Sequence, residues 1–285
     1  GRGAGALDNT VPERILEAIA RPVTVGTQEL FLSACVGVAR YPDDSADPAT
    51  LIDFADLAMH GAKGMGRNSY QFFDFEMVEK AQQRLRMESD LRNALERDEF
   101  VLHYQPQLDL SSGRVIGVEA LLRWSHPQLG LLSPGHFLAL AEDTGLVVPI
   151  GAWAMRSACA QVRRWQDDGH AGLRLALNLS LREFSQPDLP RQVSDILAAT
   201  GLAARHLELE LTERMVMDDT ARAVEVMKGL RTLGVSIAVD DFGTGYSSLG
   251  QLKRYPVDAL KIDRSFVNTI SQEGNEAAIP DAIIS

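Results

Sequence analysis

Beyond residue 99 the chain repeats one pattern: a short apolar run, a polar residue near its carboxyl end, then a stretch with helical spacing. The strand-like runs are residues 100–105, 115–121, 173–178, 207–211, 236–239 and 259–262. Between them, residues 134–143 carry Phe137, Leu138 and Leu140, and residues 150–167 carry Trp153, Ala154, Ala158, Val162 and Trp165 at helical spacing. Helices are also predicted over 189–200 and 220–233, the latter stopped by Gly234. Apolar strands alternating with helices argue for parallel βα units, which build either a doubly wound sheet or a (β/α) barrel. No Gly-x-Gly-x-x-Gly turn follows the first strand, so the dinucleotide-binding open sheet is disfavoured.

In a parallel barrel all strands end at one mouth, so the residues at those ends are read together. Glu119 lies within the second run and Arg123 just past it; Asn178 ends the third. Glu210 and Glu213 bracket the end of the fourth, Asp240 and Asp241 close the fifth, and Lys261 and Asp263 stand at the sixth. Each has an ordinary explanation alone: Asn178 as a turn former, Glu208 and Glu213 as parts of a solvated face, Lys261 as a surface charge. Gathered in one mouth, these acids and the amide would be costly without cations. All-oxygen ligands point to Mg²⁺ or Mn²⁺, and a two-metal site fits Asp240 and Asp241 as the shared pair. Strand side chains alternate between faces, so the two aspartates would diverge; Gly243 and Gly245 are expected to turn the chain where they emerge. Lys261 could orient an attacking water or neutralise a phosphate, and the planar fork of Arg123 suits phosphate oxygens.

Composition narrows the ligand. The 285 residues carry a net charge of −11, which argues against a nucleic-acid polymer or an anionic membrane as partner. An acidic protein that binds a phosphate ester needs cations to do so. Cys35 and Cys159 are far apart with no second thiol or histidine at ligand spacing, so both are read as buried and zinc is disfavoured. No apolar run approaches the ~20 residues of a membrane span, and a cytoplasmic protein is expected.

The first quarter of the chain is organised differently. Helices are predicted over 12–20 (Ile15, Leu16, Ile19) and 47–63 (Leu51, Phe54, Ala55, Ala58, Met59, Ala62), and strands over 29–39 and 69–73. Here Cys35-Val-Gly-Val-Ala-Arg-Tyr-Pro42, Ala55-Asp-Leu-Ala-Met-His-Gly-Ala-Lys63 and Gly66-Arg-Asn-Ser-Tyr70 resemble the C-terminal half of a GGDEF domain, the diguanylate cyclase fold. That family's signature loop and nucleotide-binding half have no counterpart in this sequence, so cyclase activity is not expected. The division expected is 1–75 as a partial α/β GGDEF domain, 76–97 as a linker helix with Met77, Leu85, Leu91 and Leu95 on its seam, and 98–285 as the second domain.

That second domain resembles an EAL domain, the cyclic-di-GMP phosphodiesterase family. Glu119-Ala-Leu-Leu-Arg123, Asn178-Leu-Ser180, Glu210-Leu-Thr-Glu213, Asp240-Asp-Phe-Gly-Thr-Gly245 and Lys261-Ile-Asp263 stand in the family's order. The resemblance implies a TIM-like barrel whose first strand is antiparallel to the rest. It implies metal ligation by Glu119, Asn178, Glu210, Asp240 and Asp241, with Asp263 a further candidate ligand. Lys261 and Asp241 would serve catalysis, Glu213 would anchor the loop after the fifth strand, and Arg123 and Gln105 would bind substrate. Residues 242–255, that loop, would carry a homodimer contact. The expected reaction is hydrolysis of cyclic-di-GMP to 5′-pGpG with Mg²⁺ or Mn²⁺; the alternative is a silent cyclic-di-GMP receptor. Two βα units of the barrel and the family's last metal-serving glutamate are not matched before Ser285, so an incomplete barrel with impaired hydrolysis is expected.

Overall fold

The computed structural model describes residues 9–217, 220–243, 255–263 and 265. It divides into two compact units, Gly1–Met87 and Glu88–Ser285. In the first, helix α1 (Thr10–Ile19) is followed by a hairpin of β1 (Val23–Val25) and β2 (Gln28–Leu30), then β3 (Cys35–Val38), α2 (Pro48–Met65) and β4 (Ser69–Phe72). Strands β3 and β4 pair in parallel across α2, a βαβ unit. Asp47 caps α2 by accepting from the Thr50 N–H at 2.8 Å, Pro48 opens its first turn, and Ala58 and Ala62 are buried on the face foreseen.

The single strand expected over 29–39 is two short ones, because Phe31 and Leu32 between them are 74% and 53% exposed and, among the described residues, no neighbour pairs them into a ladder. Cys35 is only half-buried, whereas Cys159 is fully buried as expected. Gly37 in β3 lies directly under α2: a Cβ there would overlap the Ala55 carbonyl oxygen and the Met59 amide nitrogen, both backbone atoms. Gly37→Ala is therefore expected to destabilise this unit by roughly 3 kcal/mol, since neither element can yield by a rotamer change. Hydrogen exchange would read this as lost protection in α2 and β4, and wild-type protection there would contradict it.

Helix α3 (Phe75–Ala94) opens at the end of the first unit and runs on into the second. Its seam is narrower than expected: Leu91 and Ala94 are buried, but Leu85 is 67% exposed. The remaining elements are β5 (Phe100–Leu108), β6 (Val115–His126), β7 (Gly130–Leu132), α4 (Leu138–Thr144), α5 (Val147–Asp167), β8 (Arg174–Asn178), α6 (Leu181–Phe184), α7 (Leu189–Thr200), β9 (Leu207–Thr212), α8 (Glu213–Met217), α9 (Thr220–Leu233), β10 (Ser236–Phe242) and β11 (Ala259–Ile262). One sheet runs in the order β11-β10-β9-β8-β6-β5, with β7 paired to β6. Strands β6, β8, β9, β10 and β11 are parallel neighbours, and β5 is antiparallel to β6, the arrangement of an EAL-type barrel.

The sheet has two chemically different faces. Val118, Ala120, Leu175, Leu177, Leu207, Leu209, Leu211, Ile237 and Val239 belong to a core that also takes in Ala158, Cys159 and Val162 of α5, Val193 and Ile196 of α7, and Met227 and Leu230 of α9. Alternation sends the intervening residues to the other face, where Glu119, Asn178, Glu208, Glu210, Asp240 and Lys261 stand above buried Ala176 and Ala238. Burial on the helix-facing side, at about 1.5–3 kcal/mol for each large aliphatic side chain, offsets the cost of holding acids on the other. No single helix among the described residues is long and apolar enough to cross a membrane.

Candidate active site

Register explains why the acids meet. Glu119 of β6 is paired with Ala176 of β8, Asn178 of β8 with Glu210 of β9, and Glu210 with Ala238 of β10. The expected residues therefore lie in adjacent layers on one face. Asn178 Nδ2 donates to Glu119 Oε1 at 2.8 Å. Lys261 Nζ reaches three acids on three strands: Glu210 Oε2 at 2.7 Å, Glu119 Oε2 at 3.1 Å and Asp240 Oδ1 at 3.6 Å.

Asp240 and Asp241 share the mouth for a reason the sequence reading did not supply. Strand β10 continues through both and on to Phe242, so glycines do not end it before them. Val239 pairs with Leu260 and Phe242 with Ile262, so two aspartates on β10 oppose Lys261 alone on β11. This is a β-bulge, and Asp241 adopts the left-handed conformation at φ 53° to make it. Val239 and Phe242 both enter the helix-facing core, which an unbroken alternation would forbid, and the two acids between them are left on the mouth side. Gly243, at φ 101°, turns the chain just after the bulge; Gly245 lies outside the described residues.

Charge at this mouth is unbalanced. Glu210 is 1% exposed, and burial pushes its carboxyl up to about 7 despite the hydrogen bond and charge of Lys261; Glu119 and Asp240 add to the push. Among the described residues its buried Oε1 has no hydrogen-bond partner. Burial alone would lower Lys261, but the hydrogen bond and charge of Glu210, then Glu119 and Asp240, outweigh it and hold the ammonium above the ordinary lysine range. Asp241 is raised by burial, then by Asp240 and Asp263 beside it. Glu208, on the same face, is raised by burial and drawn back by Lys261 and Arg174. One ammonium thus faces more carboxylates than it can neutralise.

Other expected residues fall nearby. Glu213, 7% exposed, accepts from the Gly243 N–H at 3.3 Å and so ties the end of β9 to the segment after the bulge. Gln105 is paired with Glu119 across the antiparallel β5–β6 ladder and shares its face. Arg123 lies four residues beyond Glu119 on β6 and donates to the Leu122 carbonyl at 2.7 Å rather than to the acids. Asp263 accepts from the Ser265 N–H at 2.8 Å. Among the described residues no three Asp, Glu, His or Cys side chains are grouped in a metal-ligating arrangement, because Glu119, Glu210 and Asp240 close on the Lys261 ammonium instead. Most of the 242–255 loop, residues 244–254, lies outside the described residues.

The helix start just after Asn178 was not foreseen. Ser180 caps α6 in a capping box: Glu183 Oε2 accepts from the Ser180 N–H at 2.9 Å, and the Glu183 N–H donates to Ser180 Oγ at 3.3 Å. Glu183 is 8% exposed and raised by burial, and a Cβ at Gly151 of α5 would overlap its carboxylate. The signal was present as Ser180-Leu-Arg-Glu183, the Ser-x-x-Glu spacing of a helix start.

A parallel β/α sheet with an antiparallel first strand, bearing acids, an amide and a lysine at its carboxyl-end mouth, defines a barrel domain of the EAL class. The comparisons agree: the EAL domain model matches residues 88–285 and the diguanylate cyclase, GGDEF domain model matches residues 7–69. This chain belongs to the EAL domain family, with a GGDEF segment ahead of it. It is 46% identical over 276 residues to the bifunctional diguanylate cyclase/cyclic di-GMP phosphodiesterase MucR of Pseudomonas aeruginosa, covering 97% of this chain and 40% of that protein. It is 42% identical over 273 residues to the cyclic di-GMP phosphodiesterase NbdA of the same organism, covering 96% of this chain and 35% of that protein. Among solved structures, the PaMucR phosphodiesterase in complex with c-di-GMP superposes with TM-score 0.67 at 49% identity, over 70% of this chain and 81% of that one. The FimX EAL domain of Xanthomonas citri in complex with c-diGMP gives TM-score 0.63 at 27% identity, over 70% and 78%. The chain thus spans well under half the length of these curated relatives.

Proposed function

We propose that the protein binds cyclic-di-GMP at this mouth and hydrolyses one of its phosphodiester bonds to give 5′-pGpG, with Mg²⁺ or Mn²⁺ as cofactor. The observation that carries the reading is the buried Oε1 of Glu210, unpartnered among the described residues, amid acids and an amide from neighbouring strands. Such an oxygen needs a donor or a cation, and the donor set is all oxygen, which suits a hard divalent ion. Glu119, Asn178, Glu210, Asp240 and Asp241 would hold it, with Asp263 beside Asp241 as a further candidate. The names of MucR and NbdA, and the ligand of the PaMucR complex, support the choice of substrate.

When bound, the cations supply Lewis acidity to the phosphodiester and to the attacking water. The chain's own groups do the positioning. Asn178 gives its N–H to Glu119, so its carbonyl oxygen would be the atom free to meet a cation. Lys261 would offer an ammonium to the phosphodiester, and Arg123 a cationic fork further along β6. Gln105 contributes amide hydrogen bonds to the ligand from the face it shares with Glu119. Glu213 holds the start of the loop that follows β10, and that loop would form a homodimer contact. Residues 76–97 would connect this domain to the partial GGDEF domain.

Calorimetry with cyclic-di-GMP in Ca²⁺, followed by product analysis in Mg²⁺ or Mn²⁺, tests the proposal. Binding and release of 5′-pGpG are expected. Binding with no product would make the domain a receptor, and no binding would refute the substrate assignment.

A further inference from the structure

Lys261 stands where a cation of the proposed kind would have to go. Its ammonium lies 2.7 Å from Glu210 Oε2, 3.1 Å from Glu119 Oε2 and 3.6 Å from Asp240 Oδ1, on three strands other than its own. These acids belong to the set assigned above to metal ligation. A Mg²⁺ ion holds oxygen at about 2.0–2.1 Å, so an ion on any of these oxygens would meet an ammonium a few ångströms away. Like charges that close, with low-dielectric walls beneath them, repel strongly. The lysine has somewhere to go, since its side chain is 28% exposed, whereas Glu210 is closed in completely.

From this arrangement we infer that Lys261 is the internal counter-ion of the metal-free site and competes with the first divalent cation for Glu119, Glu210 and Asp240. The inference rests on the metal reading proposed above. Before loading, the ammonium keeps three carboxylates from repelling one another apart. On loading it is displaced toward the open mouth, where it becomes available to the substrate phosphate. Competition also sets a threshold for selectivity: an entering ion must attract these oxygens more strongly than an ammonium does, which a divalent ion does and Na⁺ or K⁺ does not. The opposite role is equally concrete. A lysine that merely gathers the ligands would leave metal binding weaker when removed.

Calorimetric titration with Mn²⁺ separates the two. Lys261→Met is expected to bind Mn²⁺ at least about tenfold more tightly than wild type, and to gain more in Tm from saturating Mn²⁺. Lys261→Arg keeps a cation in place and is expected to stay close to wild type. Unchanged or weaker binding by Lys261→Met overturns the inference, as does Lys261→Arg binding as tightly as the methionine variant. If neither wild type nor Lys261→Met takes up Mn²⁺, the metal reading itself fails. A measurement on wild type alone needs no variant to fold: the Lys261 side-chain ¹⁵N resonance should move as Mg²⁺ saturates the protein, and a resonance that stays put refutes the displacement.

Discussion

Asp240→Asn is expected to lower turnover of cyclic-di-GMP by on the order of a thousandfold, about 4 kcal/mol of transition-state stabilisation. Asparagine keeps the volume and hydrogen-bonding shape of the side chain, so the substitution changes charge and little else. Asp240 is half-buried, sits at the start of the bulge, and places Oδ1 3.6 Å from the Lys261 ammonium. In the proposed chemistry it would be one of the carboxylates that hold the cations, and a neutral amide binds a divalent ion far less well. Mn²⁺ affinity should therefore fall together with turnover, while thermal stability of the metal-free protein stays near wild type. Turnover at the wild-type level, with Mg²⁺ or Mn²⁺ saturating, would remove Asp240 from the ligand set.

The second large effect concerns the layer that carries the site. Leu209 lies on β9 between Glu208 and Glu210, is fully buried, and is paired with Leu177 of β8 and Ile237 of β10. Leu209→Ala should cost about 3 kcal/mol, because three strands and the helices behind them cannot all collapse into the space left. The expected fall in Tm is roughly 8 °C for a domain of this size. Leu110, 100% exposed, provides the contrast: Leu110→Ala should leave Tm within error of wild type. Denaturant unfolding with an unchanged m-value would attribute the loss to packing, and a cost under about 1 kcal/mol would show that β9 is not the keystone of this core.

Much of the architecture could be read directly from spacing. Helices α7 and α9 and strand β11 have the bounds expected of them, since each is a clear periodic run closed by a glycine or a polar turn. Strand β6 ran five residues further than expected, to His126, because its last residues are paired with β7, Gly130-Leu131-Leu132, a strand too short to show an alternating period. The β1–β2 hairpin was missed for a similar reason: all six of its strand residues are exposed, and the turn at Gly26, φ 65°, holds it in place of burial. Leu85 of α3 was misjudged because helical spacing identifies a stripe, not whether anything covers it.

The site was legible as a set of residue types and illegible as an arrangement. That Glu119, Asn178, Glu210, Asp240 and Lys261 share a mouth follows from parallel strands ending together. That the lysine bridges three of the acids depends on side-chain reach across neighbouring strands, which no linear pattern contains. The capping box after Asn178 was readable locally, from Ser180 and Glu183, but its burial against Gly151 is a long-range fact.

The bulge at Asp240 and Asp241 makes the mouth depend on the number of residues as well as on their kind. Its extra residue is what lets consecutive acids face the same way while Val239 and Phe242 both stay in the core. Deleting Asp241 alone would restore a regular ladder with every remaining strand residue still aligned to its neighbours, and only the local acid pair would be gone. Deleting a residue before Asp240 would instead slip the register and send Asp240 toward the helices. Substitution at 241 divides along the same line: asparagine and glycine tolerate its left-handed backbone, whereas valine or isoleucine would pull the strand straight. Drift along this lineage should therefore run through point changes at the acids long before it runs through changes in the length of β10.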